Sequence, residues 1–159
     1  MKRNHPDNHA VLMGYGNILE KKGHFDEAVR IYNKVIELKP KLIKAYECIA
    51  MIYEYKRVNK KKSCDYANRA LAIDPKSMYA LFVLCRNQST PDEKIKKLKE
   101  LCEIYPKFSR AFNETGIIYG GTKKMYDEAI SWYEKCTVKT PEYASCYNNI
   151  GVNYELKKM

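Results

Sequence analysis

The chain has 159 residues, enough for one domain with a core of its own, and its 45% hydrophobic and 30% charged residues are ordinary for a globular protein. Seven glycines and six prolines leave little room for long flexible linkers, and no run approaches the 18 apolar residues of a membrane span. Lys and Arg outnumber Asp and Glu by 29 to 19, a net +10 spread as +3 over residues 1–42, +3 over 43–75, +3 over 76–108 and +1 over 109–159. There is no separate basic tail. A diffuse field of this kind either keeps a Lys-rich surface soluble or attracts acidic peptide, nucleic acid or membrane surfaces.

Residues 1–8 read as an extension before the first helix. After them, amphipathic patterns predict helices near 9–22, 25–38, 42–56, 60–73, 77–87, 91–104, 109–120, 126–138 and 143–157. Pro40, Pro75, Pro106 and Pro141 punctuate them, 35, 31 and 35 residues apart. Each proline closes one helical pattern and opens the turn to the next.

The segments between the prolines repeat in phase. Odd-numbered helices read Leu12-Met-Gly-Tyr-Gly-Asn-Ile-Leu19, Tyr46-Glu-Cys-Ile-Ala-Met-Ile-Tyr53, Phe112-Asn-Glu-Thr-Gly-Ile-Ile-Tyr119 and Tyr147-Asn-Asn-Ile-Gly-Val-Asn-Tyr154. A large residue, a small one four on and a large one three further lie on one face, and the small residue lets a neighbouring helix come close. The segment Leu81–Gln88 follows the pattern least well, with Cys85 in the small position. Even-numbered helices carry Phe25-Asp-Glu-Ala28 and Tyr126-Asp-Glu-Ala129, followed by Tyr32 and Tyr133.

On these residues the chain resembles the tetratricopeptide repeat family. Tyr15, Gly16, Leu19, Gly23, Phe25, Ala28, Tyr32 and Pro40 carry the resemblance in the first unit, and Gly116, Tyr119, Tyr126, Ala129, Tyr133 and Pro141 in the fourth. The resemblance implies an all-α fold: a right-handed α-α superhelix, or solenoid, of helical hairpins. It would form a single domain over 9–159, with repeats at about 9–42, 43–77, 78–108 and 109–143 and a partial one at 144–159. Repeat two has an extra residue near Val58–Lys62 and Ser63 in place of Ala. Repeat three is three residues short, and repeat four has an extra residue around Gly120–Lys123. With only the first helix of a fifth repeat present, we expect a piece of a longer array, its open apolar face able to pair with another copy.

Chemistry is sparse. His5, His9 and His24 are the only histidines, and His5-Pro6 precedes the first helix, so no metal site is expected. Gly14-Tyr-Gly16-Asn lacks the third glycine and the strand of a phosphate loop. No cofactor and no catalytic group is expected. Cysteines 48, 64, 85, 102, 136 and 146 form neither Cys-x-x-Cys nor zinc-finger spacings, and read as reduced thiols in helices, in cytoplasm or nucleus.

The resemblance implies binding in a groove lined by the first helix of each repeat. The candidates there are Asn17, Lys44, Tyr79, Arg86, Arg110, Asn113, Asn148 and Asn149. Met51, Phe82 and Val83 share that face and have two readings, groove lining or extension of the core. The two-carboxylate clamp with which co-chaperone repeats hold a chaperone's acidic C-terminus is matched at Asn17. It is missed at Met13, Cys48, Tyr79 and Val83, so chaperone-tail binding is not expected. Arg86 and Arg110 could hold a carboxylate. Asn149 resembles the groove asparagines of the O-GlcNAc transferase repeats, which bind peptide backbone. The favoured function is a protein-interaction scaffold holding a peptide or protein segment of acidic character; the alternative is a regulatory or targeting module of a larger enzyme. Nucleic-acid binding through Lys60–Lys62 and Lys94, Lys96, Lys97 and Lys99 is less favoured, because no aromatic is near the second patch in sequence.

Overall fold

A computed structural model describes residues 8–56 and 59–159. Within them the chain is all-α: α1 (His9–Lys21), α2 (Phe25–Leu38), α3 (Ile43–Lys56), α4 (Lys60–Ile73), α5 (Met78–Arg86), α6 (Pro91–Ile104), α7 (Ser109–Ile117), α8 (Tyr126–Lys139) and α9 (Ala144–Lys157). They fall where the amphipathic patterns put them, within two residues at most ends, except at α7. The predicted N-terminal extension and the Val58 part of the repeat-two insertion lie outside the described residues, except for Asn8.

Local chemistry accounts for the helix starts. Asn8 and Asn59 cap α1 and α4, accepting from the backbone N–H of Ala10 and Lys62. Thr90 and Glu93 form a reciprocal capping box on α6, with Pro91 in its first turn. Helices α2, α6 and α8 begin with Asp-Glu pairs at their positive ends, whereas α4 begins with three lysines and relies on its Asn cap.

The four prolines build one turn four times. The N–H of Leu42, Ser77, Phe108 and Tyr143 donates to the carbonyl of Lys39, Asp74, Tyr105 and Thr140, each at 3.0 Å, with the proline second in every turn. Proline suits that place because its ring already sets the required φ and no N–H is needed there.

The contacts divide the chain into two compact units, Met1–Leu84 and Cys85–Met159. In the first, α1 packs on α2, α2 on α3 and α3 on α4. Its core includes Leu19, Ala28, Tyr32, Val35, Ile49, Ile52, Ala67 and Ala70. Ser63, which departs from the family's alanine, is fully buried and donates to the Ala50 carbonyl at 3.0 Å, so the hydroxyl is satisfied. In the second, α6 packs on α7, α7 on α8 and α8 on α9, around Leu98, Phe112, Ala129, Ile130 and Tyr133.

Two close helix approaches use small residues singled out above. A methyl on Gly16 would lie 2.5 Å from Tyr32 Cε1, and one on Gly116 would lie 2.5 Å from Tyr133 Cε1. Both rings are buried, at 0% and 2% exposure. In each case the phenol ring of the second helix lies directly on the backbone of the first.

The extra residue of repeat four does not lengthen a loop. It is taken up as a π-helical turn, Ile118–Thr122, continuing α7, with Lys123 N–H donating to the Ile118 carbonyl. The next residue, Lys124, adopts φ 56°, the left-handed conformation that Gly23 holds at φ 80° between α1 and α2.

One expectation is corrected. The cysteines were expected to be reduced, yet Cys136 and Cys146 form a disulfide, with Cα atoms 6.4 Å apart. The Thr140–Tyr143 turn folds α9 back along α8 and brings the two fully buried sulfurs together. Cys48, Cys64, Cys85 and Cys102 are free thiols.

Ring-on-glycine packing predicts opposite outcomes for one substitution. Gly116→Ala forces the Tyr133 ring from its place and should destabilise by about 1–3 kcal/mol in a urea melt followed by circular dichroism. Gly151→Ala, where no atom lies within 4 Å of the new methyl, should stabilise by about 0.5–1 kcal/mol. Equal effects at the two sites would contradict the packing.

Candidate functional site

The candidate residues form several small constellations. In the first unit Asn17, exposed on α1, accepts the Tyr32 hydroxyl at 2.8 Å, and Glu20 accepts the same hydroxyl at 3.0 Å. The phenol is thus both packing ring and tether for the one residue that matches the co-chaperone clamp. Lys44 and Tyr79 come together: the Lys44 ammonium stands 4.5 Å from the Tyr79 ring centre. Glu47 lies beside them, 3.5 Å from Lys44 Nζ and accepting from Ser77 at 2.8 Å.

In the second unit Arg86 meets a carboxylate of its own chain. Its Nε lies 3.3 Å from Glu114 Oε1, with the two side chains only 15% and 18% exposed. The charge expected to hold a ligand carboxylate is therefore already matched by Glu114. Arg110 is half-buried in the first turn of α7. Asn113 and Asn149 form a direct pair across α7 and α9, the Asn149 amide donating to Asn113 Oδ1 at 2.8 Å. Asn148 is exposed beside them. One turn on, Ile117 and Val152 are 42% and 50% exposed on the same two helices.

Met51, Phe82 and Val83 resolve to the core reading, at 5%, 2% and 0% exposure, and Cys48 is buried with them. The face on which self-association was expected lies on α9: Tyr147 and Tyr154 are half-exposed on either side of Gly151, and among the described residues nothing packs over that glycine.

The second lysine patch is also corrected. Lys99 Nζ lies 5.4 Å from the Tyr119 ring centre and 5.5 Å from that of Trp132, so the fold supplies the aromatics that the local sequence lacks. In the first unit, Arg69 lies between Tyr46 and Tyr66, at 4.8 and 5.1 Å from their ring centres.

Three ion pairs recur one repeat apart: Asp26 with Lys56, Asp92 with Lys123 and Asp127 with Lys157. Each joins the first turn of a second helix to the end of the next repeat's first helix. The aspartates are exposed, so the pairs set register more than stability. Among the described residues, no group of three or more His, Cys, Asp or Glu side chains could hold a metal, and no helix is long and apolar enough to cross a membrane.

Residues 9–42 match the tetratricopeptide repeat family. The chain has the tetratricopeptide repeat fold. It resembles the structure of TTC0263, a thermophilic TPR protein of Thermus thermophilus, with a TM-score of 0.76 at 14% identity over 92% of this chain and 81% of that one. PilF of Pseudomonas aeruginosa gives 0.72 at 19% identity over 94% and 69%. YrrB, described as a TPR protein with an unusual peptide-binding site, gives 0.59 at 22% identity over 96% and 79%. At these identities the likeness is one of fold. No curated protein matches the sequence.

Burial governs the ionisation of the packed groups. It lifts the Tyr32 hydroxyl well above the phenol range, with Cys48 and Glu20 adding to the effect. It pushes Tyr133 up to about 12, and the thiols of Cys48 and Cys85 up to about 11. All these folded-state values are raised, so the unfolded chain releases these protons first. The stability they contribute is complete below pH 9 and is lost as pH rises to about 12. Urea midpoints measured across this range should fall steadily, and Tyr133→Phe, which keeps the ring over Gly116, should flatten the fall above pH 10. An unchanged slope would contradict burial of this phenol.

Proposed function

We propose that the chain is a protein-interaction scaffold, not an enzyme, and that the α7–α9 surface binds a peptide or protein segment. One observation carries the reading: side-chain amides and exposed aliphatics alternate there. Asn113 and Asn149 are paired at 2.8 Å, Asn148 stands beside them, and Ile117 and Val152 lie one turn away. Amides offer a donor and an acceptor to an extended backbone, and the aliphatics take alternate side chains. Asn113 holds Asn149 in place through a bond that a peptide amide can join or replace.

The net charge of +10 favours a segment of acidic character. Arg86 would reach such a ligand only by leaving Glu114. We place the scaffold in cytoplasm or nucleus on its four free thiols. The Cys136–Cys146 bridge is compatible with this, because neither sulfur is open to a soluble reductant.

A photo-crosslinking residue placed at Ile117 or Val152 should capture the same partner, while one at the exposed Glu134 of α8 should not. Asn113→Ala/Asn149→Ala should weaken that partner roughly tenfold, about 1.4 kcal/mol, with the melting curve little changed. Crosslinks at Glu134 alone, or unchanged affinity in the double variant, would rule out this surface.

A further inference from the structure

A second recessed site lies in the Cys85–Met159 unit, and it shares no residue with the amide surface. A cavity of about 300 Å³ opens between α6 and α8, lined by Lys99, Cys102, Glu103, Phe112, Trp132 and Lys135. Its apolar part is aromatic: the Phe112 and Trp132 rings are 6.0 Å apart at 43°. Its polar part is mostly cationic. Lys135 Nζ stands 4.3 Å and Lys99 Nζ 5.5 Å from the centre of the indole.

Attraction to the ring's negative face holds both ammoniums over the indole, so they are not left to swing freely in water. Two localised cations against the single carboxylate of Glu103 leave the cavity positive. Lys96, three residues before Lys99 on the same helix, extends that field, while Lys97 is paired with Glu100. The Cys102 thiol, pushed up to about 12 by burial, stays neutral and adds no negative charge to the floor.

We propose that this cavity is a docking site for an acidic protein segment. A carboxylate of the segment binds Lys99 and Lys135, and a neighbouring aliphatic side chain fills the space against Phe112 and Trp132. Charge complementarity selects the occupant. The volume suits one or two side chains rather than a whole helix. A carboxylate gains charge-assisted hydrogen bonds from two donors already positioned. A nucleobase fits less well, because stacking needs an open ring face and the ammoniums stand over the indole.

Trp132 is the only tryptophan in the chain, so its emission reports this cavity alone. The probe is the capped peptide acetyl-Glu-Asp-Leu-Asp-Leu-amide, titrated at low salt. A saturable change in Trp132 fluorescence is expected, together with a shift of the indole N–H signal in the NMR spectrum of the unmodified protein. In Lys99→Glu/Lys135→Glu the affinity should fall at least about tenfold. The same peptide with Lys in place of its acidic residues should give no response. Absence of a saturable change at millimolar peptide would overturn the proposal, as would equal binding by the double variant. A response to single-stranded oligothymidylate but not to the peptide would overturn it in favour of a nucleic-acid site.

Discussion

The contact between a second-helix tyrosine ring and a first-helix glycine backbone sets the geometry on which the outer hairpins depend. Tyr32 on Gly16 and Tyr133 on Gly116 are the same contact in two units of the chain. A flat ring on a bare Cα brings the two helices closer than a Cβ at the same position would allow, and it buries the ring. Once the axes are that close, the neighbouring positions have little freedom. Leu19, Ala28 and Val35 close around the first ring's hairpin, and Ala129, Ile130 and Phe112 belong to the second's. Ala50 and Ala67, both fully buried, stand at the corresponding places in repeat two, so a matched pair of small residues replaces the ring and the glycine.

Because the interface is fixed, irregularities are taken up at its edges. An added residue near Gly120 becomes a π-helical turn, which keeps Gly116 under its ring and carries Lys123 on to its pair with Asp92. The four proline turns repeat the same hydrogen bond although the segments between them differ in length by four residues. The Asp–Lys pairs mark the same register on the surface. At the positive end of α4, Lys61 stands where the other second helices carry Asp26, Asp92 and Asp127.

Much of this was legible in the amino-acid sequence because each repeat element is local. A proline, a capping residue and a spacing of three or four define a helix without reference to the rest of the chain, and phase agreement among units turns weak local patterns into a fold. What was not legible depends on residues that meet across repeats. The aromatics around Lys99 come from positions 119 and 132, far outside its local sequence. Cys136 and Cys146 are bonded through the path of one turn, which spacing alone does not reveal. Arg86 looked available for a ligand until Glu114, a repeat away, proved to face it. The Asn113–Asn149 pair lies between these cases: both residues were candidates, and the repeat spacing makes their meeting intelligible once the hairpins stack.

The two proposed surfaces draw on the same architecture in different ways. First helices α7 and α9 present amides and aliphatics, while second helices α6 and α8 hold a cationic cavity over the one indole. Both rest on the ring-and-glycine contact that spaces the helices beneath them. The most direct test of that contact is a proton NMR measurement of the two glycines. Strong cross-relaxation is expected between the Gly16 Hα protons and the Tyr32 ring, and between those of Gly116 and the Tyr133 ring. Ring currents should also move those Hα signals upfield, with no such shift at Gly151. Gly16 and Gly116 resonating at ordinary helical positions, with no contact to either ring, would contradict the account.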